Sequence, residues 1–347
     1  MAKPEPFQIG GTTVRPGSSA VVDLPVSVMS DHTPASLSVQ VLHGAKPGPV
    51  LFVSAAVHGD EIVGVEIIRR LLRRVRPGRL RGTLLAVPIV NTFGFLTHSR
   101  YLPDRRDLNR SFPGSPRGSL AARLAHLFMT EIVARADLGI DLHSAAQHRT
   151  NLPQIRISPG SDRLRDLARQ FGAPVILTSS LRDGSLRGAA RDAGVDMLLY
   201  EAGEGLRFDE FAVRAGVTGI LRVMHGIGML AGRGLAPPRH APVEVSSSSW
   251  VRAPAGGLLR TYRAEGEAVE QGDLLGVVSD PFGETEAEVR SPGHGVIVGR
   301  AVLPVVNEGD ALFHVAEVKK PDGLDARIEG IAEELSEHPL FDEDEII

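Results

Sequence analysis

The chain has 347 residues, 42% hydrophobic and 23% charged, with a formal net charge of −4, the make-up of a soluble globular protein with room for two domains and a sizeable core. It holds no cysteine, which excludes disulfides, thiol catalysis and thiolate metal sites, so any metal must be held by His, Asp or Glu. The negative balance argues against a nucleic-acid partner. No apolar run approaches the roughly 18 residues that cross a bilayer, and the N-terminus lacks the apolar core of a secretory signal; a cytoplasmic protein without a membrane partner is expected.

Residues 1–45 read as a β-rich lead-in packed on the domain after it, with short segments at 19–22 and 36–41 punctuated by Pro and Gly. Over 46–232 strand and helix patterns alternate. A buried strand is predicted at 49–57, then a helix over 61–75 with Ile62, Val65, Ile68, Leu72 and Val75 inward. A strand at 83–90 comes next, then a helix capped by Ser119 and running to 134, with Leu120, Leu124, Leu127, Phe128 and Ile132 inward. A short strand at 138–142 delivers His143. Helices at 162–171, 183–193 and 208–230 and strands at 174–178 and 197–200 complete the pattern. The alternation predicts an α/β fold, a mainly parallel mixed sheet flanked by helices.

Residues 232–249 (Gly-Arg-Gly-Leu-Ala-Pro-Pro, later four serines) read as a linker. Beyond it Ala-Pro-Ala-Gly-Gly at 253–257 and Ser-Pro-Gly-His-Gly at 291–295 are 38 residues apart, and the turns Gly272-Asp273 and Gly309-Asp310 are 37 apart. Matching offsets mark an internal repeat. It resembles the all-β barrel-sandwich of biotinyl and lipoyl carrier domains over 247–318. Carriers present a modified Lys on the hairpin between the halves, but residues 280–286 hold no Lys, so a structural or lid-like module is expected. Residues 319–347 form an acidic C-terminal tail, read as a solvated end.

The chemistry concentrates at predicted strand ends. His58-Gly59-Asp60-Glu61 puts an imidazole and a carboxylate three residues apart, close enough for one helical turn to aim both at one ion. The structural alternative is a turn-capping His and a first-turn acid favoured by the helix dipole. In Asp141-Leu142-His143, Asp141 and His143 share one side of an extended segment, and His143 could complete a His2Glu set. The loop 99–114 holds Arg100, Arg105, Arg106 and Arg110, poor core material but suited to carboxylates and oxyanions. Glu201 comes after an apolar strand, at the sheet edge where sites of such folds lie, with a helix-start acid as the alternative. Arg187 is a candidate for a second carboxylate contact, with a helix-surface Arg as the alternative.

Together His58-Gly59-Asp60-Glu61, Ser99-Arg100-Tyr101, Asp107-Leu108-Asn109-Arg110, Asp141-Leu142-His143 and Tyr200-Glu201-Ala202-Gly203 resemble the succinylglutamate desuccinylase/aspartoacylase family, of zinc carboxypeptidase-like fold, over about residues 45–230. The resemblance implies that His58, Glu61 and His143 hold one Zn2+ per chain. It implies Glu201 as general base and later acid, Arg100 as oxyanion stabiliser, and Asn109 with Arg110 as the grip on a substrate carboxylate. A zinc with three protein ligands keeps an open position for water. Asp141 could orient a ligand from behind.

The expected function is a zinc-dependent hydrolase cleaving the amide bond, not a peptide bond, of a small N-acylated amino acid or related amine. The rivals are a metallocarboxypeptidase acting on peptide C-termini and a non-catalytic zinc-binding protein. No G-x-S-x-G or G-K-[ST] occurs, so neither a serine hydrolase of that type nor a P-loop enzyme is supported. The acyl group, the amine and the choice between monomer and homo-oligomer are left open by the sequence.

Overall fold

The computed structural model of the chain describes residues 4–230, 236–318 and 323–336. Two short strands, β1 (Phe7–Ile9) and β2 (Thr12–Val14), pair antiparallel across Gly10-Gly11. The hairpin of β3 (Ser18–Val28) and β4 (Pro34–His43) comes next, in register from Ser18↔His43 to Val28↔Pro34. Along β3, buried Val22, Leu24 and Val26 alternate with exposed residues, as a sheet with one covered face requires. β4 continues antiparallel onto a strand of the α/β part (Gln40↔Ala86 to His43↔Thr83), so the lead-in is the outer edge of the main sheet.

The α/β part runs β5 (Lys46–Ala55), α1 (Val63–Arg74), β6 (Arg81–Val87), α2 (Thr92–Leu96), α3 (Leu120–Glu131) and β7 (Leu138–His143). It continues with β8 (Arg149–Ile157), α4 (Asp162–Phe171), β9 (Val175–Thr178), α5 (Leu186–Asp192), β10 (Asp196–Glu204) and α6 (Glu210–Gly226). The centre, β6-β5-β7-β10, is parallel, and β8 and β4 join its two sides antiparallel. β5 shows why both faces are covered: Leu51, Val53 and Ala55 enter the core shared with α1, α4 and α6, while Phe52 enters the one shared with α3 and α5. From β5 the chain crosses to β6 on one side and returns to β7 on the other, which opens a crevice at the C-terminal end of β5.

α1 begins two residues later than expected, and its buried side is Val63, Ile67, Ile68 and Leu71, with Ile62, Val65 and Leu72 only half-buried. The stripe is rotated because α1 packs on the sheet and on α6 at once. A Cβ on Gly64 would lie 2.6 Å from that of Ala55, and one on Gly216 of α6 would lie 2.5 Å from Ile67. Strand β8 has no counterpart in the sequence reading.

Part of the stretch read as a linker is a strand, β11 (Val243–Val245), which extends β9 in parallel; residues 231–235 lie outside the described residues. The remaining strands are β12 (Ser248–Arg252), β13 (Gly257–Thr261), β14 (Ala268–Val269), β15 (Leu274–Ser279), β16 (Glu286–Arg290), β17 (Gly295–Ala301), β18 (Val305–Val306) and β19 (Ala311–Glu317). The four-stranded sheet β16-β15-β13-β18 shares one apolar core with β12, β17 and β19, through Leu259, Val278, Ile297, Leu312 and Phe313. β17 also pairs with β8 (Gly299↔Asn151 to Ala301↔Arg149), which fixes this C-terminal part to the main sheet beside β10.

The acidic end is not wholly solvated. Helix α7 (Leu324–Ser336) buries Leu324, Ile328, Ile331 and Leu335, and Glu334 meets buried Arg222 of α6 at 2.6 Å. Residues 319–322 and 337–347 of the predicted tail lie outside the described residues. No helix among the described residues is long and apolar enough to cross a membrane.

Candidate metal centre and active site

The site begins where β5 ends. Ala56 takes a left-handed φ of 51°, a sparsely populated conformation for a residue with a side chain. A Cβ on Gly59 would sit 1.9 Å from the carbonyl carbon of Gly94, so only glycine fits there. The turn closes with Glu61 N–H donating to the His58 carbonyl at 3.1 Å, and it puts both side chains on the crevice. His143 is the last residue of β7 and Glu201 is its register partner on β10.

The carboxylate of Glu61 spans the two imidazoles. Its Oε1 lies 2.6 Å from Nδ1 of His58 and its Oε2 lies 2.6 Å from Nδ1 of His143, and all three residues are buried. Each outer nitrogen has its own carboxylate: Asp107 Oδ1 is 3.1 Å from His58 Nε2, and Asp141 Oδ2 is 2.7 Å from His143 Nε2. Asp141 in turn accepts from the Ser54 hydroxyl at 2.7 Å. With Nε2–H donated to these carboxylates, both Nδ1 atoms are turned to Glu61, at a distance where a proton or a cation stands between nitrogen and oxygen. Two imidazole nitrogens and a carboxylate converging in a buried space could hold a divalent cation, with carboxylates behind the rings as metal-binding histidines usually have. Among the described residues this is the one such His/Asp/Glu group whose ligand atoms converge within 4.8 Å.

The electrostatics agree. Burial opposes a charged ring at His58 and at His143, yet the facing carboxylates outweigh it and raise both pKa values, that of His143 strongly. At Glu61 burial also works against charge, but the two rings prevail and hold the carboxyl well below its usual range; Asp107 behaves likewise against His58 and Arg100. This concentrated negative charge is what a cation would neutralise.

Around the triad lies a cleft of about 450 Å³ that also holds Arg100, Asn109, Arg110, Arg187 and Glu201. The candidate ligands, base and substrate contacts thus meet in one place, whereas Arg105 and Arg106 are exposed and do not line the cleft. Arg100 donates to Glu61 at 3.1 Å and to Asp107 at 3.1 and 3.3 Å. Asn109 is buried, its side-chain oxygen accepting from Leu186 N–H at the start of α5 at 2.9 Å, while Arg110 is exposed at the rim. Arg187 is buried, not a helix-surface residue, and donates to the Ser179 hydroxyl and the Ser180 carbonyl. Glu201 accepts from Asn151 at 3.0 Å and has Arg156 at 3.7 Å.

Sequence reasoning missed Asp107 as the partner of His58, although it stood in a motif already singled out. It also missed Asn151 and Arg156 of β8, and Trp250 and His314 of β12 and β19, all lining the cleft. Nothing local marks these; the pairing of β8 with β10 brings in Asn151 and Arg156, and the run β8-β17-β19-β12 brings in the other two. Two other clefts, of about 560 and 730 Å³, lie away from the triad, against α7 and beside β11.

The chain is 29% identical to N-alpha-acetyl-L-2,4-diaminobutyric acid deacetylase of Halomonas elongata over 284 residues, 78% of this chain and 83% of that protein. It is 25% identical to succinylglutamate desuccinylase of Pseudomonas aeruginosa over 189 residues, about half of each protein. The crystal structure of succinylglutamatedesuccinylase/aspartoacylase from Rhodobacter sphaeroides superposes with a TM-score of 0.76 at 27% identity, covering 86% of this chain and 95% of that one. The family model for the succinylglutamate desuccinylase/aspartoacylase catalytic domain matches residues 47–227, more than half of the chain, and the chain belongs to that family.

Proposed function

We propose that the chain is a zinc-dependent deacylase that hydrolyses the amide bond of a small N-acylated amino acid or related amine. The observation that carries this reading is the buried His58–Glu61–His143 group, its outer nitrogens held by Asp107 and Asp141, with Glu201 in register beside His143. The relatives named as a deacetylase and a desuccinylase support the reaction class.

Two imidazole Nδ1 atoms and the Glu61 carboxylate would hold the zinc, and Asp107 and Asp141 would keep the rings turned to it. When bound, zinc supplies Lewis acidity, which makes water a nucleophile near neutral pH. Glu201 takes a proton from the attacking water as its oxygen joins the acyl carbon. It gives that proton to the amine nitrogen as the carbon–nitrogen bond breaks. Arg100, with N–H groups beyond those spent on Glu61 and Asp107, donates to the oxygen that gains charge in the tetrahedral adduct. Asn109, Arg110 and Arg187 bind the carboxylate of the amino acid.

The test is a paired assay of protein stripped with chelator and reloaded with zinc, against N-acetyl and N-succinyl amino acids and against short peptides. Zinc-dependent release of free amino acid from the acylated set, with peptides left intact, supports the reading. Faster cleavage of peptides would move the protein to the carboxypeptidases.

A further inference from the structure

A group that carries a proton must be held in one direction, and the contacts of Glu201 show how that is done. Among the described residues, one side chain lies within hydrogen-bond distance of its carboxylate: the amide nitrogen of Asn151 donates to Oε2 at 3.0 Å, while Arg156 stands off at 3.7 Å. Both come from β8, and their positions differ by an odd number. In an unbroken strand an odd separation puts two side chains on opposite faces. Here both meet Glu201, because β8 carries an extra residue. Glu201 pairs with Gln154 and Gly203 with Asn151, so a shorter step along β10 matches a longer one along β8. A bulge of this kind turns the residues beyond it to the other face. The extra residue falls at Leu152-Pro153, and Pro153 has no N–H to give to a ladder.

Asn151 is itself held from behind. Its register partner on β17 is Gly299, where an added Cβ would lie 2.5 Å from Asn151 Oδ1 and 3.0 Å from the Thr150 carbonyl oxygen. Gly299 does not take a left-handed φ, so the position needs the missing side chain rather than the conformational freedom of glycine. The amide oxygen rests against that space, which leaves the amide nitrogen for Glu201. An ionised carboxylate only accepts, so this orientation of the amide is the one that fits. Asn151 is 7% exposed, and little water competes for the bond.

We propose that Asn151 is a positioning residue for Glu201 and that Gly299 sets its place, so that β17 governs proton transfer from outside the cleft. Gly299 does not line the cleft and acts only through Asn151. A carboxylate with one oxygen tied down presents the other in a fixed direction, and a misplacement of about 1 Å can cost about a hundredfold in rate. The pairing of β17 with β8 thereby couples the C-terminal β strands to the chemistry as well as to the fold. The inference deepens the deacylase reading and rests on it through the role of Glu201.

The test is a double-mutant cycle in the full-length, zinc-loaded protein, with Asn151→Ala, Gly299→Ala and the pair. Gly293→Ala, whose added carbon meets nothing within 4 Å, is the control and should match wild type. Each single variant should lower kcat by about 10–100-fold on whichever N-acetyl or N-succinyl amino acid wild type cleaves fastest, with KM and zinc content little changed. Once Asn151 is cut back the new methyl has room, so the pair should lose no more than Asn151→Ala alone. Asn151→Asp keeps the size but replaces the donor by a second acid. It should move the acidic limb of the kcat/KM profile to higher pH, which a mere loosening of the fold does not do. Losses that multiply in the pair, or an unmoved profile in Asn151→Asp, overturn the proposal; if Gly299→Ala does not fold, Asn151→Asp decides. A crystal structure of Gly299→Ala needs no turnover. Asn151 should draw back from Glu201 beyond about 3.5 Å, and an unmoved contact sinks the positioning account whatever the activity. A zinc-loaded wild type that hydrolyses no N-acyl amino acid sinks the deacylase instead, and an opened contact then leaves the link from Gly299 to Glu201 standing.

Discussion

Asp141 accepts from Nε2 of His143 at 2.7 Å, and that bond decides which nitrogen the ring turns toward Glu61. A neutral imidazole carries one proton, so fixing it on Nε2 leaves Nδ1 as a lone pair. Asp107 does the same for His58 at 3.1 Å. The two acids come from different elements, one two residues before its histidine on β7 and the other in the arginine-rich loop, yet they give both rings the same orientation.

Asp141→Asn should therefore weaken zinc binding by about 10–100-fold, the usual cost of losing a carboxylate behind a ligating histidine. A competition titration against a chelator measures it. An affinity within twofold of wild type would show that Asp141 serves only as the acceptor for Ser54.

His314 predicts a pH dependence of stability. Its folded pKa is pushed down to about 4, below the ordinary 6.5, because the ring is buried and faces Arg156. Between these values the unfolded chain binds a proton that the folded chain refuses, so stability is complete above about pH 6.5 and falls as pH drops toward 4. At about 1.4 kcal/mol per pH unit, His314 contributes on the order of 3 kcal/mol of this loss. Denaturant midpoints of wild type and His314→Gln at pH 7.5 and 5.0 test it: the loss on acidification should be smaller in the variant, and equal losses would exclude His314 as a source.

Glu334 of α7 holds Arg222 of α6 at 2.6 Å with both side chains nearly buried, 9% and 3% exposed. Removing one partner of such a pair strands the other charge, which costs about 3–5 kcal/mol. Glu334→Ala should lower stability by that order in chemical denaturation and make α7 more sensitive to protease. A change under about 0.5 kcal/mol would mean that α7 docks through its apolar residues alone.

The sequence was most informative where a local period and a strong end signal coincide. α4 runs from 162 to 171 as predicted, because Ser161 accepts from Leu164 N–H at its start and Gly172, with φ 79°, ends it. The site motifs were legible because β5, β7 and β10 each deliver polar residues immediately after an apolar run. β8 was not: Thr150, Asn151, Gln154 and Arg156 give it a polar pattern, and Pro153 argues against a strand. Yet Gln154 is buried because it donates to the Val298 carbonyl of β17 at 3.1 Å. Trp250 and His314 were invisible for a related reason, since only the β17–β8 pairing carries them to a site whose other residues all lie between His58 and Glu201. The rotated face of α1 reflects tertiary packing on two neighbours, which a single-stripe pattern does not encode.

Zinc held by His58, Glu61 and His143, with Glu201 moving the proton, is tested most directly by Glu201→Gln in the full chain. The variant keeps size and the contact with Asn151 but removes the base. Zinc content by elemental analysis should stay at one per chain while kcat on the best N-acyl amino acid falls by about 10²–10⁴-fold, the usual contribution of a general acid–base. Near-normal turnover in that variant, or loss of the zinc together with the activity, would contradict this division of roles.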